Sequence, residues 1–248
     1  MKNYDETKKF FNSNASNYSK SDSHKNDIDL EMLINSMDLS SDMIGLDVAT
    51  GSGFTAIKMA TFIKRVYALD FAENMLKETK KLANENGINN IEVVKAPVEE
   101  LPYTDNFFDV VTCRRAAHHF MDMEKFLKES YRVLKNNGII GIDDMTASDE
   151  NIENLNKLEK LRDHSHMHAE SPDGWIQLLK EQGFRNIHYK IYQKRVKFTE
   201  WIYPVNESAP EGIESHNFIK NSDNAFRAYI DFNNDSFIKR WIIITARK

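Results

Sequence analysis

The sequence predicts an α/β fold: a single doubly wound domain whose mostly parallel sheet carries helices on both faces. Three observations predict it. Between residues 43 and 143, short apolar runs of strand character alternate with segments of helical period. A small-residue loop, Ala49-Thr50-Gly51-Ser52-Gly53, joins the first of these strands to the first helix. Asp70 closes the second strand 23 residues after Asp47, the length of one turn, one helix and one strand.

Residues 43–48 form the first strand. Gly51 and Gly53 carry no Cβ, so the backbone there can turn sharply and a ligand can approach its amides at the start of the helix over 54–60. Residues 65–70 form the second strand and place Asp70 beside the glycine loop, where a carboxylate can accept hydrogen bonds from two ribose hydroxyls. A helix over 73–86 ends at Gly87, residues 91–95 form the third strand, and residues 96–103 are a loop with two prolines. The fourth strand spans 107–113. Asp122 caps a helix that reaches 134, Asn136-Asn137-Gly138 is a turn, and residues 139–143 form the fifth strand.

Beyond Thr146 the spacing predicts a charged helix over 151–167 and a shorter one over 172–182, with Ser171 as its cap and Gly183 after its end. Residues 187–198 alternate as a strand, 201–235 read as irregular, and 237–246 close the chain as a β-rich strand. In front of the core, residues 28–34 have amphipathic helical spacing, and Phe10, Phe11 and Tyr18 are the bulky anchors of an N-terminal lid. No linker or repeat divides the chain, so one domain is expected: a lid over 1–40, a core over 41–147, a cap with the sixth strand over 148–235 and the terminal strand over 236–248.

With 248 residues, 41% of them hydrophobic, the chain can bury one large core. A net charge of −5 disfavours nucleic acid, and the basic run over 190–197 reads as the solvated face of a strand. Cys113 is the single cysteine, which rules out an intrachain disulfide; in its apolar run it reads as a packing residue. There is no signal-like N-terminus and no run long enough to span a membrane, so a cytoplasmic location is expected.

Taken together, five short motifs in order resemble the class I S-adenosylmethionine-dependent methyltransferases, in particular the small-molecule branch that includes quinone-biosynthesis C-methyltransferases. They are Leu46-Asp47-Val48-Ala49-Thr50-Gly51-Ser52-Gly53, Leu69-Asp70 with Met75-Leu76, Val98-Glu99-Glu100-Leu101-Pro102-Tyr103, Phe108-Asp109-Val110-Val111, and Tyr131-Arg132-Val133-Leu134-Lys135 with Gly138. The resemblance implies a Rossmann-like seven-stranded sheet with an antiparallel last strand. It implies S-adenosylmethionine as cofactor and a small-molecule methyl acceptor as partner. Asp47, Ala49, Thr50, Gly51 and Gly53 would hold the methionine part, Asp70 the ribose, Phe71 and Met75 the adenine, and Val98 the ring edge, with Ala96, Pro97 and Arg114 completing the cofactor site. Tyr18 would face the sulfonium as an aromatic ring favours positive charge. Two residues depart from the family pattern: Ala49 stands at the usual first glycine, acceptable where φ stays negative, and Pro97 stands where an acid commonly accepts the adenine amine.

For the transfer itself, a base is needed where the acceptor begins as a phenol, enol or hydroxyl. Arg114-Arg115-Ala116-Ala117-His118-His119-Phe120 follows the fourth strand at the carboxyl edge of the sheet, where α/β sites lie. One of His118 or His119 is the expected base or acceptor-orienting group, with His166 or Arg162 reaching in from the cap. Asp143 and Asp144 would order the acceptor or pair with Arg114 or Arg115. No metal is expected: His164 and His168 pair at i, i+4 on a helix, and no carboxylate has matching spacing. Two other readings share the motifs, a nicotinamide-dependent oxidoreductase and a catalytically silent S-adenosylmethionine-binding protein. Against the first, the third glycine of a Gly-x-Gly-x-x-Gly would fall at Ala56. Monomer and homodimer are both left open.

Overall fold

In the computed structural model, residues 12, 13, 15, 28–203 and 205–248 are described. Helix α1 (Ile28–Asn35) precedes β1 (Ile44–Val48), α2 (Phe54–Ala60), β2 (Arg65–Asp70), α3 (Glu73–Glu85), β3 (Ile91–Lys95) and β4 (Phe108–Arg114). A short 3-10 turn over Ala117–His119 leads to α4 (Met123–Val133) and β5 (Leu134–Met145). The cap side follows: α5 (Ile152–Arg162), α6 (Pro172–Glu181), β6 (Arg185–Lys197), α7 (Phe198–Ile202), α8 (Pro210–Asn221), α9 (Asn224–Tyr229) and β7 (Ser236–Arg247).

The seven strands lie in the order β3-β2-β1-β4-β5-β7-β6. Strands β1 to β5 pair in parallel, and β7 runs antiparallel between β5 and β6. The strand order reverses between β1 and β4, so the carboxyl ends of β1, β2 and β4 open on a crevice at the switch point. The core is double-sided. Leu33, Met37 and Met59 fill one face beneath α1 and α2, while Phe126, Leu127, Trp175 and Leu179 fill the other beneath α4 and α6. Cys113 is fully buried among the second set, a packing residue as its sequence context suggests.

Local chemistry sets the helix ends. The Asp122 side chain accepts from the Lys125 amide to start α4, and Ser171 accepts from Gly174 to start α6 with Pro172 at its first position. Three sequence expectations need correction. Helix α5 stops at Arg162 and not at 167, so residues 163–169 are loop and the helical His164–His168 pair does not exist. Strand β5 begins at Leu134; the expected Asn-Asn-Gly turn survives inside it as a bulge, with Asn137 at φ 64, because partners step from Phe108↔Leu134 to Val110↔Ile139. The stretch over 201–235 is largely helical: Phe198, Trp201, Ile202, Ile219 and Phe226 close around Leu158 in a cap core of their own. Its short amphipathic turns lacked enough period to be visible in sequence.

The basic run on β6 lies on an exposed sheet edge. Phe10, Phe11, Tyr18 and Pro204 lie outside the described residues. Within the expected lid, Asn12 meets the start of α3, where its side-chain oxygen accepts from the Asn74 amide at 3.0 Å, and Ala15 packs with Ala72 and Met75. No helix among the described residues is long and apolar enough to cross a membrane.

Candidate functional site

A crevice lies at the switch point, about 1050 Å³ when the solvent-open space at its mouth is counted. One half of its wall is the β1–α2 loop with Asp70, Phe71 and Met75; the other is the segment after β4, with Met167 from the cap loop.

The loop is built by hydrogen bonds that its sequence dictates. The Thr50 amide bonds the Leu69 carbonyl at 2.9 Å, and the Gly53 amide bonds the Thr50 carbonyl at 2.9 Å. Gly51 and Gly53 take φ 54 and 86. At Gly53 a Cβ would strike Thr79 at 2.5 Å, so this glycine allows α2 to close on α3; at Gly51 a Cβ would meet nothing within 4 Å and would project into open space. Ala49 also adopts φ 53, against the expectation of a negative value. The loop geometry overrides side-chain preference, and the residue carries the strain that a glycine would avoid.

Asp47 lies under the loop and off the crevice wall: its Oδ2 accepts from the Thr50 hydroxyl at 2.6 Å and its Oδ1 from the Thr112 hydroxyl at 2.7 Å. Asp70, on the wall, accepts from the Gly51 amide at 2.9 Å and from the Ala72 amide at 2.8 Å. Burial raises both carboxyls to about 6, against the lowering effect of the hydroxyls around Asp47 and the amides around Asp70.

Phe71, Met75, Pro97 and Val98 line the crevice with Ala49, Thr50 and Gly51. Gly53 and Ala96 stand behind it; the Ala96 amide bonds the Asp70 carbonyl at 3.3 Å. Arg114 is on the wall, with its guanidinium 2.8 Å from Asp29 of α1 and 3.6 Å from Asp143 of β5. Arg115 also reaches Asp29, at 3.1 Å. Asp29 is held down at about 2: burial pushes it up but is outweighed by its bond with Asp143 and by the two guanidiniums. Asp143 stays well above the usual carboxylate range, from burial first and Asp29 second.

The two adjacent histidines part company. His118 is buried off the wall, its Nδ1 2.5 Å from Asp144 and its amide 2.9 Å from the same carboxylate. His119 lines the crevice, its Nδ1 3.0 Å from the Ser165 hydroxyl and 3.2 Å from the Ser165 carbonyl. Burial, followed by the charge of His118, lowers His119 to about 3. His166 is buried behind His118, its Nε2 2.7 Å from Asn156 and its Nδ1 without a partner among the described residues. Burial and then His118 lower it to about 4. Arg162 does not reach the crevice: it pairs with Glu159 at 3.0 Å and lies over the Trp201 ring. Loop 163–169 is fastened to the post-β4 turn by the amides of Met167 and His168, both bonded to the His118 carbonyl.

Wall residues that the motifs did not single out include Ser52, Glu99, Arg115, Phe120, Met121 and Met167. Ser52 and Glu99 sat inside quoted motifs. Met167 carried no local signal, since a loop 48 residues beyond His119 delivers it.

Residues 46–142 match the family model described as a methyltransferase domain. The uncharacterized methyltransferase YcgJ of Bacillus subtilis (strain 168) is 29% identical over 176 residues, 70% of this chain and 70% of that protein. A demethylmenaquinone methyltransferase of Listeria welshimeri is 40% identical over 96 residues, 38% of this chain and 41% of its own. The crystal structure of a candidate methyltransferase from Bacillus halodurans C-125 superposes with a TM-score of 0.84 at 33% identity, covering 89% of this chain and 98% of that one. With that likeness over nearly the whole chain, and with the glycine loop and Asp70 lining a crevice where the strand order reverses, the chain belongs to the class I S-adenosylmethionine-dependent methyltransferases.

Proposed function

We propose that the chain methylates an oxygen, or the carbon beside it, of a small phenol-, enol- or quinol-type acceptor, with His119 as the group that orients the acceptor and takes its proton. The observation that carries this reading is that His119 shares one crevice wall with the glycine loop and Asp70, its Nδ1 held by Ser165.

The residues present fit S-adenosylmethionine. Gly51 leaves open the space that a side chain would fill, and Ser52 Oγ is buried on the wall without a partner among the described residues. Gly51 and Ser52 would hold the methionine part, Asp70 the ribose, and Phe71, Met75 and Val98 the adenine. Glu99, half-buried two residues after Pro97, would supply the carboxylate that Pro97 lacks. When bound, S-adenosylmethionine supplies the methyl group as an electrophilic sulfonium.

His119 acts as a weak base. An oxygen gaining a methyl becomes far more acidic than imidazolium, so a ring of low basicity still receives the proton as the new bond forms. The O–H bond breaks toward the imidazole and the electron pair stays on oxygen. Phe120, Met121 and Met167 keep that part of the wall apolar, which suits a flat, uncharged acceptor and limits competing water. The name of the Listeria relative supports a quinol among acceptors to be tried.

Incubation with methyl-labelled S-adenosylmethionine and either catechol or 1,4-naphthoquinol tests the reading. Transfer in the wild type, falling about a hundredfold or more in His119→Gln with S-adenosylhomocysteine binding intact, is the expected result. Tight binding without transfer to any acceptor would instead favour the silent binder.

A further inference from the structure

We propose that Asp163 and Ser165 are positioning residues that fix His119 as its Nδ1–H tautomer and so reserve Nε2 as the proton-accepting atom of the crevice. The catalytic consequence rests on the role given to His119 above; the tautomer itself does not.

The argument is a count of protons. The Ser165 amide and hydroxyl both donate to Asp163 Oδ1, at 2.8 and 2.6 Å. An ionised carboxylate can only accept, and a serine hydroxyl has one proton to give. Asp163 is ionised, its carboxyl lowered because burial is outweighed by His119 and by these two bonds. With its proton committed to Asp163, Ser165 Oγ turns a lone pair toward His119 Nδ1, 3.0 Å away. The other group on Nδ1 is the Ser165 carbonyl at 3.2 Å, which has no proton at all. Two acceptors on one ring nitrogen require that nitrogen to carry the hydrogen, and in the neutral ring Nε2 then carries none.

Other groups face the ring. His118 is next to it, with ring centroids 4.0 Å apart, and Asp144 stands behind His118. Arg114 and Arg115 share the crevice wall. Burial and then His118 oppose an imidazolium, while Asp163, the Ser165 backbone bond and Asp144 favour it. His118 is itself set as Nδ1–H by Asp144, but it is off the wall, so of the two rings only the one governed from the cap lines the crevice. Control comes from a residue pair 44 and 46 positions away in sequence, at the end of α5.

Imidazole ¹⁵N–¹H correlation spectra of the full chain read the tautomer without turnover, with His119 identified by the signals lost in His119→Gln. The wild type is expected to show a protonated Nδ1 and a bare Nε2, unchanged from pH 8 to pH 5. In Asp163→Ala the Ser165 hydroxyl is free to donate to Nδ1, and a second set of Nε2–H signals is expected. Ser165→Thr keeps the hydroxyl and is expected to keep the single Nδ1–H form. With catechol or 1,4-naphthoquinol as acceptor, Asp163→Ala should lower kcat on the order of ten- to a hundredfold, with KM for S-adenosylmethionine within about twofold. An Nε2–H ring in the wild type overturns the inference whatever the variants do, and so does an unchanged spectrum in Asp163→Ala. An Nδ1–H ring together with undiminished transfer in His119→Gln would overturn the base reading and leave the tautomer assignment standing.

Discussion

Ala49 is an L-residue held at φ 53 in the loop that forms the crevice wall. A left-handed conformation costs such a residue about 1 kcal/mol, so Ala49→Gly should raise the thermal midpoint by about 2–4 °C, read by calorimetry, without loss of S-adenosylhomocysteine binding. Asp70 sets a pH dependence. Its carboxyl is raised to about 6, so below that value it carries a proton that blocks one acceptor lone pair. Binding that uses the ionised carboxylate must release this proton, so affinity is lost as pH falls. Titration calorimetry should find S-adenosylhomocysteine bound about tenfold more weakly at pH 5 than at pH 7; equal affinity would remove Asp70 from ribose recognition. Ala49 and Asp70 were both singled out from the sequence, and both line the crevice. The sign of the φ at Ala49 was not legible there, because it follows from closing the loop on Leu69 and not from the residue's own preference.

Among elements, α1 is joined to the site more firmly than its amphipathic spacing suggests. Its buried Asp29 meets both Arg114 and Arg115, so the helix fixes two side chains of the crevice wall on the far side of β4. Asp29→Ala leaves the two buried guanidiniums short of a carboxylate and should cost about 3–5 kcal/mol in stability, measured by denaturant titration. A loss under 1 kcal/mol would show that their remaining partners, Asp143 among them, satisfy the two guanidiniums. The strands over 44–48, 65–70 and 91–95 were legible almost to the residue, since each is an apolar run between turn residues. Helices α7 to α9 were not, since they take their order from the Trp201 and Phe226 cluster around Leu158, which assembles across residues distant in sequence.

For the whole molecule, the crevice is shared between the sheet edge and the cap loop, so a ligand that fills it ties the two together. S-adenosylhomocysteine at a hundredfold its Kd should stabilise the chain by about 2.7 kcal/mol, visible as a rise in thermal midpoint that grows with ligand concentration. A midpoint independent of concentration would contradict binding to the folded form. By itself the sequence determined the α/β class, the strand succession, the glycine loop and Asp70, because each of these follows from short-range spacing and from residues with restricted backbone chemistry. The tertiary structure alone decided that Asp47 supports the loop from beneath and that His119 faces the crevice while His118 faces Asp144. It also decided that Arg162 serves the cap and that Ser165 and Met167 arrive from outside the motif region. Adjacent side chains carry the same local information, and only the partners brought to each by the fold distinguish them.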